Sequence, residues 1–291
     1  MNNNNYIIGV DIGGTTYSST CFDINGNVIE NSSTALICSS NSTENLLDNI
    51  SNQIKGLFKE RKVIGVGIAS PGPLNAIEGE ILETPNLILL KNCKIISELQ
   101  KRLKIKCKLE NDANLFTLGE FNQYQNQKDV FIGITLGTGL GFGLVINNKL
   151  FTGAHGMGGE YSISPFGNGN WESRISINAL KKLSQIHLDN ILDPKVIYKM
   201  ASEQDKDALK IWDEFGKSIG IFLSHTINML DPNAISIGGG LSNAYKLFKK
   251  SMLKNIEKYC PVYSHHKIDI YESHNKELSA KLGAASLVID K

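Results

Sequence analysis

The sequence predicts an α/β protein made of two similar halves with a ligand-binding cleft between them. Three observations carry this expectation. Short β-branched and apolar runs alternate with helical periodicities. A strand, a glycine-rich turn and a second strand occur twice, as GVDIGGTTYSSTCF from Gly9 and as GITLGTGLGFGLVI over 133–146. A chain of 291 residues, 41% of them hydrophobic, can bury a core sufficient for one large domain or two smaller ones.

Strand character falls at Tyr6–Val10, Tyr17–Asp23, Val63–Ala69, Lys106–Leu109, Val130–Leu136, Phe142–Ile146 and Ala234–Ile237. Between the second and third, residues 43–60 place Leu46, Leu47, Ile50, Ile54, Leu57 and Phe58 on one helical face, behind Ser42 or Thr43 as N-cap. The basic stretch KRLKIKCKL from Lys101 reads as a helix end followed by a strand. A long apolar helix is predicted over 207–232, ended by Pro232. A shorter helix should follow the glycines at 238–240, and a last one should occupy 275–289. No Pro- or Ser-rich linker occurs, so the halves should be joined by short crossings near residues 114 and 275.

Composition narrows the partners. The formal net charge of +1 and the lack of a basic run interleaved with aromatics give no electrostatic case for nucleic acid or an acidic membrane. The five cysteines are scattered and contain no C-x-x-C pair, which argues against a disulfide framework and a cysteine zinc site. No apolar run approaches membrane-spanning length, and the first residues lack the basic start of a leader. A cytoplasmic protein is expected.

The glycine corners point to phosphate. In LGTGLGFG (136–143) the next residues are Leu144, Val145 and Ile146, a second strand where a dinucleotide site needs a helix. A P-loop also fails, since no Gly-Lys-Ser/Thr follows. What remains is a hairpin whose amides and Thr138 hydroxyl can cradle a phosphate, or a tight turn with no ligand. In ISIGGGLSNAYKLF (235–248) a strand, three glycines and a helix suit a flat ligand or phosphate, or close helix–strand packing.

Asp11 ends an apolar strand and precedes Gly13, Gly14 and Thr15. A carboxylate beside a phosphate-binding turn requires a cation between them, and Mg²⁺ accepts such a partial carboxylate and water shell. The alternative is a turn-stabilising aspartate bonded to the following amides. In LENDANLFTLGE (109–120) a strand ends in Glu110-Asn111-Asp112. Asp112 could act as a general base and Asn111 could read a hydroxyl; equally, either could cap the following helix.

These segments, in this order, resemble the ROK family (repressor, open reading frame, kinase) of the actin-like ATPase and sugar kinase superfamily. The matching pieces are GVDIGGTT, GVGIASPGPLN (65–75), TPNL to LENDAN (84–114), ITLGTGLGFGLVINNKLFTGAHGMGGE (134–160) and ISIGGGLS. The resemblance implies a two-lobed fold of duplicated ribonuclease-H-like units, with one lobe over 1–114 plus 275–291 and the other over 115–274. It implies ATP and Mg²⁺, with Asp11 linked to the metal through water. Asp11, Gly13, Gly14, Thr15 and Thr16 match its first phosphate loop, Thr138 and Gly139 its second, and Gly238, Gly239 and Gly240 its adenosine segment. Asp112 matches the base that takes the proton from a sugar's primary hydroxyl. Asn111 and Glu160 match sugar contacts, with Gly72 and Asn86 on the sugar-side loops.

The chain departs from that pattern at GEYSISPFGNGNWESRIS (159–176). Most family members carry a histidine where Ile163 stands, followed by a cysteine-rich zinc segment. No cysteine lies between Cys107 and Cys260, so zinc is not expected; only Glu172 matches a retained sugar contact. The resemblance thus implies an ATP-dependent kinase for a hexose or N-acetylhexosamine (glucose, mannose or N-acetylmannosamine, or fructose), active as a homodimer. The alternatives are a sugar-binding regulator of low turnover, without its own DNA-binding domain, and a kinase for another acceptor.

Overall fold

Alternate residues of the first strand face opposite sides of its sheet, and both sides are apolar, as expected for a strand covered on two faces. The computed structural model describes residues 5–85, 87–124, 129–261, 263, 265–266 and 268–289. They divide into two compact units. The first comprises the described residues within Met1–Gln125, Thr152–Gly156 and Asn275–Lys291, the second those within Asn126–Phe151 and Met157–His274.

The first unit opens with β1 (Asn5–Ile12) and β2 (Thr16–Asp23), then β3 (Val28–Asn31), β4 (Ala35–Leu36) and helix α1 (Thr43–Gly56). Strand β5 (Lys62–Ser70) leads to a short hairpin of β6 (Leu74–Asn75) and β7 (Glu80–Ile81), then to α2 (Ile95–Leu103), β8 (Cys107–Asn111) and α3 (Asp112–Gln123). The sheet order is β3-β2-β1-β5-β8, with β4 also on β2; the β1–β2–β3 pairs are antiparallel and the β1–β5–β8 pairs parallel. Ile8, Val10 and Ile12 pack with Leu46, Ile50 and Ile54 of α1 and Ile95 and Leu99 of α2. Helix α1 is capped by Ser42, whose hydroxyl accepts from the Asn45 amide, and it ends at Gly56. It stops four residues short of the expected position because Leu57–Glu60 form turns and Lys59 takes a left-handed φ of 43°.

The second unit contains β9 (Val130–Leu136), β10 (Leu140–Ile146), β11 (Lys149–Leu150), the hairpin β12 (Pro165–Phe166) and β13 (Gly169–Asn170), then α4 (Ile177–Leu188), α5 (Pro194–Ser202) and α6 (Lys206–Leu230). It closes with β14 (Ala234–Gly238), α7 (Tyr245–Tyr259) and β15 (Asp269–Glu272). Its sheet order is β11-β10-β9-β14-β15, antiparallel on the β10 side of β9 and parallel on the β14 side. The two sheets therefore repeat one topology, so the twofold glycine-corner pattern marks a duplicated α/β fold. Trp212, Phe215, Phe222 and Phe248 fill the core of this unit.

The last helix, α8 (Lys276–Ser286), follows β15 as α3 follows β8, and it packs in the first unit. It covers the face of the first sheet opposite α1 and α2: Leu282, Ala285 and Val288 meet Ile7 and Phe22. Close approach here requires glycine. A Cβ on Gly9 would lie 1.8 Å from the Lys281 carbonyl oxygen, and one on Gly67 1.7 Å from that of Ala284. Among the described residues no helix is long and apolar enough to cross a membrane, and the five cysteines are free thiols.

Candidate active site

In the first unit the polar candidates gather at one edge of the sheet. Asp11 shares the parity of Ile7 and Gly9, so it lies on the α3–α8 side of β1, close to the turn that joins β1 to β2. That turn is closed by the Gly13 amide donating to the Thr16 carbonyl at 2.8 Å, and the Thr15 carbonyl accepts from Ile37 at 2.9 Å. Gly14 and Thr15 are exposed at its tip.

Strand β8 ends beside it. Asn111 is the N-cap of α3, its Oδ1 accepting from Ala113 at 2.9 Å and Asn114 at 3.3 Å. Of the two cap candidates the structure selects Asn111, and this leaves Asp112 as the first helical residue, its Oδ1 also accepting from the Ala113 amide at 2.8 Å. A helix N-terminus favours negative charge. Gly72 belongs to the same cluster, since a Cβ there would lie 3.7 Å from Asn111 Nδ2. Asn86 lies outside the described residues.

The electrostatics are those of two half-buried acids on one edge of the sheet. Burial raises the Asp112 pKa above the ordinary carboxylate range, opposed by the backbone N–H groups of Ala113 and Asp112 itself. Asp11 is raised to about 6, first by burial and then by the charge of Asp112, against the opposing pull of Lys281. Two desolvated carboxylates side by side repel in the bare protein and suit a divalent cation between protein and phosphate. Among the described residues no group of three or more His, Cys, Asp or Glu side chains is placed to hold a metal. A lone carboxylate such as Asp11 could hold Mg²⁺ only as part of a shell that water and phosphate oxygens would complete, a shell this ion accepts.

This arrangement gives a pH-dependent stability with a defined sign. Folding raises the Asp11 pKa from 3.8 to about 6, so its stabilising contribution is complete below pH 3.8 and is lost as the pH rises through 6. In chelator-containing buffer without nucleotide, Asp11→Asn should stabilise the protein above pH 6 by up to about 3 kcal/mol, with no gain near pH 4. Chemical denaturation across pH 4–8 measures it; equal stability of both proteins at pH 8 would refute the assignment.

The second unit gathers the other candidates. The Gly137 amide donates to the Gly139 carbonyl at 3.0 Å, which closes the turn between β9 and β10 and leaves Thr138 exposed. The triple-glycine segment lies against the same turn. Gly239 has φ +80°, and a Cβ on it would sit 2.4 Å from the Leu136 carbonyl oxygen, so glycine is required there. The helix expected directly after these glycines begins later: residues Gly240–Ala244 form a 3-10 turn, and α7 starts at Tyr245.

Glu160 is exposed at the start of a 3-10 turn, Glu160–Ile163. Glu172 reaches the second glycine turn: its Oε2 accepts from the Leu140 amide at 3.2 Å, and a Cβ on Gly139 would lie 2.5 Å from that oxygen. The chain around it is held by aromatic packing that the sequence reading missed. Phe166 stacks on buried Trp171 at 3.8 Å between centroids, Trp171 meets His225 edge-on at 5.3 Å, and Tyr161 stacks on Phe222. Tyr161 Oη lies 2.9 Å from His225 Nδ1. Asn170 and Ser173 bond each other around the β13 end. Metal analysis of protein purified without chelator should accordingly return no stoichiometric zinc; one tightly held zinc per chain would contradict this account of the segment.

Against this geometry stand the comparisons with known proteins. The ROK family profile matches residues 7–291. The glucokinase of Thermotoga maritima is 28% identical over 98% of this chain and 98% of its own length. The N-acetyl-D-glucosamine kinase of Mannheimia succiniciproducens is 31% identical over 88% of this chain and 92% of its own. A ROK family glucokinase from Streptomyces griseus, solved with glucose and AMPPNP, superposes with a TM-score of 0.80 at 25% identity, covering 97% of this chain and 98% of that one. The duplicated α/β fold, with a glycine turn at the same place in each sheet, is the fold class of the solved ROK sugar kinases. This chain belongs to the ROK family.

Proposed function

We propose that this ATP-dependent sugar kinase transfers a phosphoryl group to the primary hydroxyl of a hexose or N-acetylhexosamine, with Asp112 as general base. One observation carries the reading: Asp112 is half-buried at the first position of α3, near Asp11 and at the sheet edge that bears the first glycine turn. Phosphoryl transfer asks mainly for positioning and charge stabilisation, and this edge supplies both.

The roles follow from the groups. The raised pKa of Asp112 brings its basicity closer to neutrality, where it takes the hydroxyl proton as the sugar oxygen bonds to phosphorus. Asn111 spends Oδ1 on the helix cap, which fixes its side chain with Nδ2 toward Gly72; that amide reads a sugar hydroxyl. The Gly13–Thr16 turn and the Thr138–Gly139 turn bind phosphate oxygens, with the Gly238–Gly240 segment under the adenosine. Mg²⁺, when bound, neutralises phosphate charge, and Asp11 is the residue to hold its shell. Glu160 and Glu172 take sugar hydroxyls, Glu172 in addition to its bond to the second glycine turn.

The substrate class rests on the relatives named glucokinase and N-acetyl-D-glucosamine kinase. Ile163 bears on the choice. It follows Glu160 by three residues on a 3-10 turn, so the two side chains lie one above the other, and it is 56% exposed. An isoleucine there offers a sugar an apolar contact and no hydrogen bond. That one observation also favours the second reading, a sugar-binding protein of low turnover. Phosphorus NMR of the product decides the chemistry: a phosphate ester on the primary carbon is expected. Release of inorganic phosphate alone, or an ester on a ring hydroxyl, would refute the proposed reaction.

A further inference from the structure

Lysine is rarely buried without opposite charge to offset its desolvation, and Lys281 is only 9% exposed. It belongs to the sequence SAKLGAAS, whose small residues let α8 lie directly on the sheet and on α3. The Lys281 carbonyl is fixed against Gly9, leaving no room for a side chain on that glycine. A helical side chain leans toward the amino end of its helix. The Lys281 ammonium accordingly reaches Ser18 Oγ at 3.2 Å, and Ser18 is the residue paired directly across β2 from Asp11.

We propose that Lys281 is a positioning residue of the phosphoryl-transfer site: held on Ser18, it offsets the Asp11 carboxylate so that an anionic nucleotide can approach this edge of the sheet. This rests on the kinase reading above and adds a residue to it. Asp11 and Asp112 alone would present two negative charges to a ligand that is itself anionic. One fixed cation beside Asp11 halves that charge before any metal arrives. Ser18 supplies the hydrogen bond that keeps the flexible lysine stem in one position.

The test compares Lys281→Met and Lys281→Gln, which remove the charge, with Lys281→Arg, which keeps it. Calorimetric titration with Mg-AMPPNP gives nucleotide affinity, and steady-state assays give KM for ATP and for the sugar. Removing one unit charge should weaken Mg-AMPPNP binding about tenfold and raise the ATP KM in step, while the sugar KM stays unchanged. Lys281→Arg should recover most of the affinity. A purely structural lysine would move both KM values and the melting temperature together, which would overturn the proposal. Equal nucleotide affinity in wild type and both neutral variants would also overturn it and leave the kinase reading standing. Wild-type protein that binds no Mg-AMPPNP would remove the kinase reading and this inference together.

Discussion

Asp112→Asn is expected to lower turnover by about 10²–10⁴-fold while Mg-nucleotide binds at least as tightly as in the wild type. The substitution removes the base and little else. The α3 cap is Asn111 Oδ1, which is untouched, and the amide replaces an acid that burial already disfavours in its charged form. Loss of a negative charge near the nucleotide cannot weaken an anion's binding electrostatically. The fold and the nucleotide site therefore survive. In the wild type, kcat/KM should fall on the acid side as Asp112 takes up its proton, at a pH above the ordinary carboxylate range because burial raises its pKa. In Asp112→Asn that limb should vanish with the activity. Unchanged turnover in the variant would remove Asp112 as the base.

Gly283→Val should unfold the first unit or cost more than about 4 kcal/mol, well above a typical point substitution. Helices α3 and α8 touch through their backbones: a Cβ on Gly283 would lie 1.9 Å from the Leu115 carbonyl oxygen, and one on Gly119 1.8 Å from that of Ser279. No rotamer relieves a collision with a carbonyl, so the helices must part. Parting them moves Lys281 off Ser18 and exposes Ile7 and Phe22. Gly240→Ala is the contrast, because nothing lies within 4 Å of a Cβ there. Its melting temperature should match the wild type while the ATP KM rises. Thermal melts of both proteins check this; a Gly283→Val protein as stable as wild type would contradict the packing described for α8.

Much of this was legible in the sequence because glycine and chain parity are local signals. The strands at Tyr6–Val10, Val63–Ala69 and Val130–Leu136 lie within the observed strands, and the paired glycine corners foretold two sheets of one topology. Helices α4 and α5 escaped the reading, although Asp193-Pro194 carries a cap-and-proline start and the Asp193 side chain does accept from the Lys195 amide. Strand β15 is four residues with little apolar character, and only its partner β14 makes it a strand. In the site, Asn111 and Asp112 were equally plausible caps from sequence alone, since both residue types suit the position. The bond from Leu140 to Glu172 and the contact of Lys281 with Ser18 span 32 and 263 residues, so no local pattern announces them. A lysine set among Ser, Ala and Gly in the last helix was the one available hint of a buried charge.

The central claim is ATP-dependent phosphorylation of a sugar, and the most direct measurement is ADP release with Mg-ATP across a panel of hexoses and N-acetylhexosamines. The account predicts rapid sugar-dependent release with at least one member of the panel, far above the rate with ATP alone. Tight Mg-ATP binding with no sugar-dependent release from any member would contradict it and identify the chain as a sugar-binding protein or a kinase of another acceptor.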